Sequence, residues 1–292
     1  MRVALLGFGL IAGSIARALR DDSAAWTIAA WSPSGTGPQL AKAEAIIDEA
    51  SESPDEAVGG ADLVVLAAPP LACLALIDEL GGGSLAGALA ADAVVTDVSS
   101  TKEAIGRRAD AAGLRFVGGH PMAGREVTGY GAAAADLFAG RPWVVVPGAH
   151  ARGDDVERVE ALVAACRARP VQMSAAEHDA AVAAISHLPL VVAAALVEAV
   201  AGAGAGPDQE DWPHAAGLAA SGWQGMTRLA RGDEEMGAGI IATNGPAIAT
   251  RVRDLRDALD AWLVELDRAG GPDPAAVAAR LADARRRLET AE

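Results

Sequence analysis

A chain that opens with a buried strand, turns on glycines and enters a helix within its first twenty residues has few folds open to it. Residues 2–6 are a short apolar run, and Gly7-Phe8-Gly9-Leu10-Ile11-Ala12-Gly13 leads straight into a helical pattern reaching about Arg20. Glycines allow the tight turn and the close approach of a pyrophosphate. The helix N-terminus adds unpaired N–H groups and the positive end of its dipole. Alone, a GxGxxA pattern is weak. Between a strand and a helix it predicts dinucleotide binding, with Gly7, Phe8, Gly9, Leu10 and Ile11 against the cofactor.

The same alternation continues. Apolar runs at 26–31, 45–48, 62–68, 93–98, 115–117 and 143–147 read as strands, with helical patterns between several of them. That order predicts an α/β N-terminal domain with a Rossmann-like, doubly wound, mainly parallel sheet. Ligands of such sheets sit beyond the carboxyl ends of the strands. The glycine loop, Ala68 and Pro69, Ser99 and Ser100, and His120 all follow strand ends, so one rim is expected to gather them. Ala68, Pro69 and Ser99 are assigned to the cofactor. The second strand runs into Trp31-Ser32-Pro33-Ser34-Gly35-Thr36, with no carboxylate for a ribose 2′-hydroxyl. Ser32 and Ser34 are suited to a 2′-phosphate, which tilts the expectation to NADP. No arginine stands there, so NAD remains the alternative.

His120 is one of five histidines and lies in Gly118-Gly119-His120-Pro121-Met122-Ala123-Gly124. The glycines let an imidazole approach a ligand, Pro121 fixes the turn expected after it, and the ring can exchange a proton near neutral pH. An incidental histidine in a glycine-rich turn is an equal reading until its place at the rim is considered.

Past about Val171 strand patterns stop. Ser174 and Glu177 form a capping box for a helix carrying Ser186-His187-Leu188-Pro189, which Pro189 is expected to kink. Residues 201–206 alternate alanine and glycine, a flexible connection. Arg228 sits among small and apolar residues, either a surface charge or a bidentate carboxylate clamp. Ile248, Val252, Leu255, Leu259, Trp262 and Leu266 recur at steps of three and four, for packing within the domain or a helical dimer seam. A last helix covers about 274–290. The expected division is a dinucleotide-binding domain, 1–172, and an all-α domain, 173–292.

The hydrophobic content is 51% with only 3% aromatic residues, so alanine and valine carry much of the core. The net charge of −15 argues against a nucleic-acid partner. Cys73 and Cys166 are far apart, without metal-ligand or disulfide-framework spacing, so no metal is expected. The apolar stretch 180–200 is broken by Ser186, His187, Pro189 and Glu198, favouring a buried helix over a membrane span. The N-terminus reads as a strand, not a signal peptide. A cytoplasmic protein acting on a small molecule follows.

With these pieces placed, the chain resembles the prephenate/arogenate dehydrogenases of tyrosine biosynthesis. The resemblance rests on Gly7 to Ser14, Asp97-Val98-Ser99-Ser100-Thr101-Lys102, Gly118 to Gly124, Asp136 to Trp143, Ser186 to Pro189 and Thr227-Arg228, in order and along most of the chain. It implies NAD(P)-dependent oxidative decarboxylation of prephenate to 4-hydroxyphenylpyruvate, of arogenate to tyrosine, or of both. By resemblance His120 is the catalytic base, Ser100 bonds the same substrate hydroxyl, and Arg228 grips a carboxylate. His187 matches the first histidine of a His-Leu-Pro-His pattern, or is a helix histidine satisfied by a carbonyl. Leu190 replaces the second histidine, Ala12 replaces the third fingerprint glycine, and Arg125 is a second carboxylate contact or only surface. The resemblance also implies a helical substrate-binding domain that forms a homodimer. No regulatory module is expected after the helical domain, so tyrosine feedback would have to act at the active site. The competing readings are a β-hydroxyacid dehydrogenase or imine reductase, expected to use a lysine or aspartate of the helical domain, and a non-catalytic dinucleotide sensor.

Overall fold

The computed structural model describes residues 1–125, 127–202 and 212–290. Its centre is an eight-stranded sheet: β1 (Arg2–Leu6), β2 (Thr27–Trp31), β3 (Glu49–Ala50), β4 (Leu63–Leu66), β5 (Val94–Asp97), β6 (Phe116–Pro121), β7 (Pro142–Pro147) and β8 (Arg169–Gln172). The spatial order is β3-β2-β1-β4-β5-β6-β7-β8. Every pairing is parallel except β6 with β7. Helices α1 (Leu10–Asp21), α2 (Thr36–Ala43), α3 (Pro54–Val58), α4 (Pro70–Gly81), α5 (Glu103–Ala111) and α6 (Gly153–Ala165) accompany the strands.

Burial on both faces explains the uninterrupted apolar strands. Val3 and Leu5 point to one face, packing with Ile15, Leu19 and Val65, while Ala4 and Leu6 point to the other with Ile77 and Val95. Strand order reverses at β1, which pairs with β2 on one side and β4 on the other. That crevice is where such sheets bind ligands. Gly7 lies in it with φ +90°, and a Cβ there would come within 2.4 Å of the Ala67 carbonyl oxygen. Only glycine fits both constraints.

Several elements differ from the sequence expectation. The third strand is two residues long and begins at Glu49; residues 45–48 are turn and bend, with Ala45 at φ +58°. His120 and Pro121 are not in a turn but close strand β6, opposite Val144 and Trp143. Strand β8 was not expected at all. Its Arg169-Pro170-Val171-Gln172 is mostly exposed at the sheet edge, where a proline is tolerated.

After Gln172 the described chain is helical or turn: α7 (Ala175–Val182), a π-helical turn (Ala183–His187), α8 (Leu188–Ala201), α9 (Trp212–Gly217), α10 (Ser221–Thr227), a 3-10 turn (Arg228–Arg231), α11 (Glu234–Leu266) and α12 (Pro274–Glu289). The capping box forms as expected, with Ser174 Oγ accepting from Glu177 N at 3.2 Å and Glu177 Oε2 from Ser174 N at 2.9 Å. Pro189 does not break the helix. The π turn just before it widens the ladder where the proline N–H is missing. Most of the alanine-glycine connection at 201–206 lies outside the described residues.

The run Ala175–Ala201, 27 residues with a hydropathy of 2.2, is long and apolar enough by length and composition to cross a membrane. Yet it carries buried His178, Asp179 and His187. Only 22% of the run's apolar window is buried in the single chain, so the expectation of a buried helix holds for part of it alone, Val182, Ala183 and Ala193 with the three polar residues.

The described chain packs as two compact units, Met1–Gly245 and Pro246–Glu292. In the second, Arg280 of α12 donates to the carbonyls of Ala258 and Ala261, and its guanidinium lies 4.0 Å over the Trp262 ring. Val252, Leu259 and Leu266 of the apolar seam are exposed.

Gly7→Ala combines left-handed strain with overpacking and should cost roughly 2–5 kcal/mol of stability. Urea unfolding monitored by circular dichroism measures it; a loss below about 1 kcal/mol, the size of an average substitution, would show the turn to be adaptable.

Candidate active site

The site is built on two buried carboxylates. Asp97 ends β5 and is fully buried. It accepts from Ser99 N at 3.0 Å and from Gly119 N at 3.1 Å, and it pairs with the buried ammonium of Lys102. These bonds hold the loop after β5 against β6, one residue before His120. A Cβ on Gly119 would lie 2.6 Å from the Asp97 carbonyl oxygen, which accounts for the glycine.

Asp179 comes from α7. It accepts from the backbone N–H of Lys102 at 2.7 Å and of Glu103 at 2.9 Å. Helix α5 has no side-chain cap of its own, so Asp179 caps it from another element. The same carboxylate lies 2.7 Å from His178 Nδ1, and His178 Nε2 lies 2.8 Å from His120 Nδ1. With both rings neutral, the bonding roles are fixed. A carboxylate only accepts, so His178 carries its proton on Nδ1 and offers a lone pair at Nε2. His120 must then donate from Nδ1, which leaves the lone pair of its own Nε2 as a proton acceptor.

Burial first, then the positive charge of Lys102, pushes His120 well below the usual histidine range; His178 and His187 add smaller pushes. The ring is therefore neutral at physiological pH. Asp179 is held below the ordinary aspartate range: burial alone would raise it, but the bonds from His178, Glu103 and Lys102 outweigh that.

His187 closes the π turn and is buried. Burial lowers it to about 4, partly offset by the Asp179 charge. The Ser100 backbone lies near enough to favour its protonated form, yet Nε2 makes no complete hydrogen bond. His120 lies at the end of β6 and the half-buried Ser100 follows the neighbouring β5, so β5, β6, α7 and the π turn converge here. Arg228 opens the 3-10 turn that packs on α8 and is exposed. Arg125 is exposed and, with Asp136 and Arg141, lines a cavity of about 470 Å³ beyond the end of β6.

The glycine loop fits a dinucleotide. Helix α1 begins at Gly9 with no side-chain cap and no acidic residue in its first turn. A Cβ at Gly9 would meet nothing within 4 Å, so the helix N-terminus opens onto free space. Phe8 and Leu10 are buried and Ile11 is half-buried. Ser32 Oγ is buried without a hydrogen-bond partner, whereas Ser34 is exposed. Ala68 and Pro69 are half-buried where β4 leads into α4. Ser99 turns its hydroxyl to Cys73 Sγ at 3.3 Å, so its side chain is already engaged. Cys73 is a buried thiol raised to about 11, by burial first and then by the Asp97 charge.

Sequence reasoning missed Lys102, His178, Asp179 and Asn244 as site residues. His178-Asp179 carried a signal, a His-Asp pair one turn into a capped helix, but its partners lie far away in the chain.

A doubly wound sheet with an open helix N-terminus at its switch point, beside a neutral histidine aligned by a carboxylate chain, is the build of a dinucleotide-dependent oxidoreductase. Known proteins agree. Residues 15–172 match the prephenate dehydrogenase nucleotide-binding domain and residues 174–269 the prephenate dehydrogenase dimerization domain. The chain is 31% identical to the prephenate dehydrogenase of Bacillus subtilis over 91% of its own length and 68% of that protein's. Its fold superposes on Synechocystis arogenate dehydrogenase with a TM-score of 0.79 and 28% identity, covering 99% and 100% of the two chains. It also superposes on Aquifex aeolicus prephenate dehydrogenase, in complex with hydroxyphenyl propionate and NAD+, with a TM-score of 0.85 at 24% identity, covering 99% and 98%. The chain belongs to the prephenate dehydrogenase family. It is an NAD(P)-dependent oxidoreductase of that family.

Lys102→Met would leave the Asp97 carboxylate buried without its counter-ion. Breaking such a pair from one side costs roughly 3–5 kcal/mol. Chemical denaturation should show that loss; wild-type stability in the variant would mean the backbone donors suffice.

Proposed function

We propose that His120 Nε2 takes the proton of the substrate's ring hydroxyl. The observation carrying this is the Asp179–His178–His120 chain, which leaves that nitrogen a lone pair. As the proton arrives, the new positive charge on His120 is shared toward His178, beside the buried Asp179 anion. Bound NAD(P) supplies the hydride acceptor for the carbon bearing the hydroxyl. Carbon dioxide then leaves the ring, and aromatisation drives the reaction. Ser100 bonds the same hydroxyl and orients it to His120. Arg228 grips a substrate carboxylate, and Arg125 is a second candidate for one at the edge of the site. His187 contributes a further polar contact, and Leu190 makes the next turn apolar where relatives of the His-Leu-Pro-His type place a histidine.

NADP is the favoured cofactor, supported by the unpartnered Ser32 hydroxyl and the lack of a carboxylate at the end of β2. Residues 173–292 form the substrate-binding and dimerisation domain of a cytoplasmic homodimer. Support comes from the dimerization-domain match and from exposed Ile185, Val252, Leu259 and Leu266, which a second copy would cover.

Reduced-cofactor absorbance, followed with prephenate and arogenate and with NAD and NADP, tests the assignment. Turnover with at least one pair is expected, and silence with all four would end it. His120→Asn should lose about 10²–10⁴ in kcat, the size of general-base catalysis, with cofactor affinity unchanged. Because the folded ring has a depressed pKa and must be neutral to act, wild-type kcat/KM should stay level from pH 8 down through about 6.5, falling only below it. An acid limb centred at or above the ordinary histidine value would contradict the role given to burial and Lys102.

A further inference from the structure

The residue beneath His187 gives it the opposite polarity to His120. Asn244 interrupts α11 with non-helical φ −128° and ψ 21°, two residues before Pro246, and is buried. Its amide nitrogen lies 2.9 Å from the Asp179 carbonyl oxygen and 3.1 Å from His187 Nδ1. A backbone carbonyl can only accept, so the NH₂ end of the amide, not its oxygen, faces both groups. One N–H goes to the carbonyl and the other to the imidazole. Nδ1 of His187 is therefore an acceptor, and the neutral ring must carry its proton on Nε2.

That Nε2 is buried and, among the described residues, makes no complete hydrogen bond, the Ser100 backbone near the ring included. A buried donor without a partner is uncommon in a folded protein and points to a ligand that completes it. The ring lies near the Ser100 backbone, and its charge is felt by His120. Leu190, three residues on, faces Gly237 and brings no second donor.

We propose that Asn244 is a positioning residue that fixes His187 as an obligate hydrogen-bond donor, and that this donor takes an acceptor oxygen of the substrate, a carboxylate or carbonyl. Asp179 then serves both histidines. Its carboxylate makes His120 an acceptor through His178, and its backbone carbonyl anchors the amide that makes His187 a donor. A site that must remove a proton at one point and bind an oxygen at another needs this pairing of opposite tautomers. The substrate contact rests on the function proposed above; the tautomer does not.

Nitrogen-15 NMR of histidine-labelled wild-type enzyme, without substrate, reads the tautomers directly. At neutral pH His187 should show Nδ1 bare and Nε2 protonated, and His120 the reverse. A proton on His187 Nδ1, or a doubly protonated ring, would overturn the proposal whatever the activity. Asn244→Ala should raise KM for the dicarboxylate or amino-acid substrate roughly 3- to 10-fold, the size of one neutral hydrogen bond. Its kcat should stay within about twofold, as expected when a uniform binding contact is lost. Asn244→Asp puts an acceptor against Nδ1. Once its ring is neutral, His187 then presents a lone pair at Nε2, and KM should climb as pH rises through the new pKa. The ionisable groups facing that ring are Asp179 and His178 of α7 and His120 of β6. A folded Asn244→Ala enzyme with unchanged KM would overturn the substrate contact. If neither variant folds, the wild-type spectrum still decides. If wild-type enzyme turns over neither substrate, the functional reading fails while the spectrum judges the tautomer separately.

Discussion

The structure depends on one buried carboxylate having enough donors. Asp179 lies 1% exposed in α7, where an unpartnered anion would cost several kcal/mol. Two backbone N–H groups at the start of α5 and the Nδ1–H of His178 satisfy it. The first-turn amides of a helix are short of acceptors and carry the positive end of its dipole, so they suit an anion. One interaction thereby caps α5, seats α7 against the loop after β5, and sets which nitrogen of His178 carries a proton. The polarity of His120, on which its proposed role rests, follows from a bond made two side chains away.

Asp97 and Lys102 form the complementary half. The Asp97 carboxylate ties β5 to β6 through the Gly119 N–H, and its ion-pair partner Lys102 leaves a positive group close to His120. Lys102 works against protonation of the ring, and in the proposed reaction Asp179 supports the proton once it has been taken. A base of this kind is neutral before the reaction and can still hold a charge during it. Placing the ring in a strand, not a loop, adds rigidity: His120 lies in register with Val144 inside the sheet, and Gly119 on its N-terminal side lets the chain pass Asp97 closely.

Features with local causes were legible in the sequence. The glycine turn after β1, the buried parallel strands and the Ser174–Glu177 box each depend on residues within a few positions of one another. His120 and Ser100 were singled out because strand ends gather at one rim, and they lie at the end of β6 and just past the end of the neighbouring β5. Features with distant causes were not legible. The backbone donors to the Asp179 carboxylate are 76 and 77 positions away, and Asn244 reaches His187 across 57. No periodicity records such contacts. Edge strands were also obscure. β8 is short and mostly exposed, and contains a proline, while β3 is reduced to two residues by the turn before it. The π turn at His187 was hidden by Pro189, which suggests a kink until the helix is seen to absorb the missing N–H.

The central claim is that the Asp179 carboxylate, acting through His178, makes His120 Nε2 a base. Asp179→Asn tests it most directly, because asparagine keeps the shape but lets His178 adopt the other tautomer and reverse the bond to His120. The account predicts a fall in kcat of about 10²–10⁴, comparable to the loss when a triad aspartate is replaced by asparagine. Cofactor affinity should remain within about threefold, since uniform cofactor contacts are untouched. A folded Asp179→Asn enzyme with the parent kcat would contradict it.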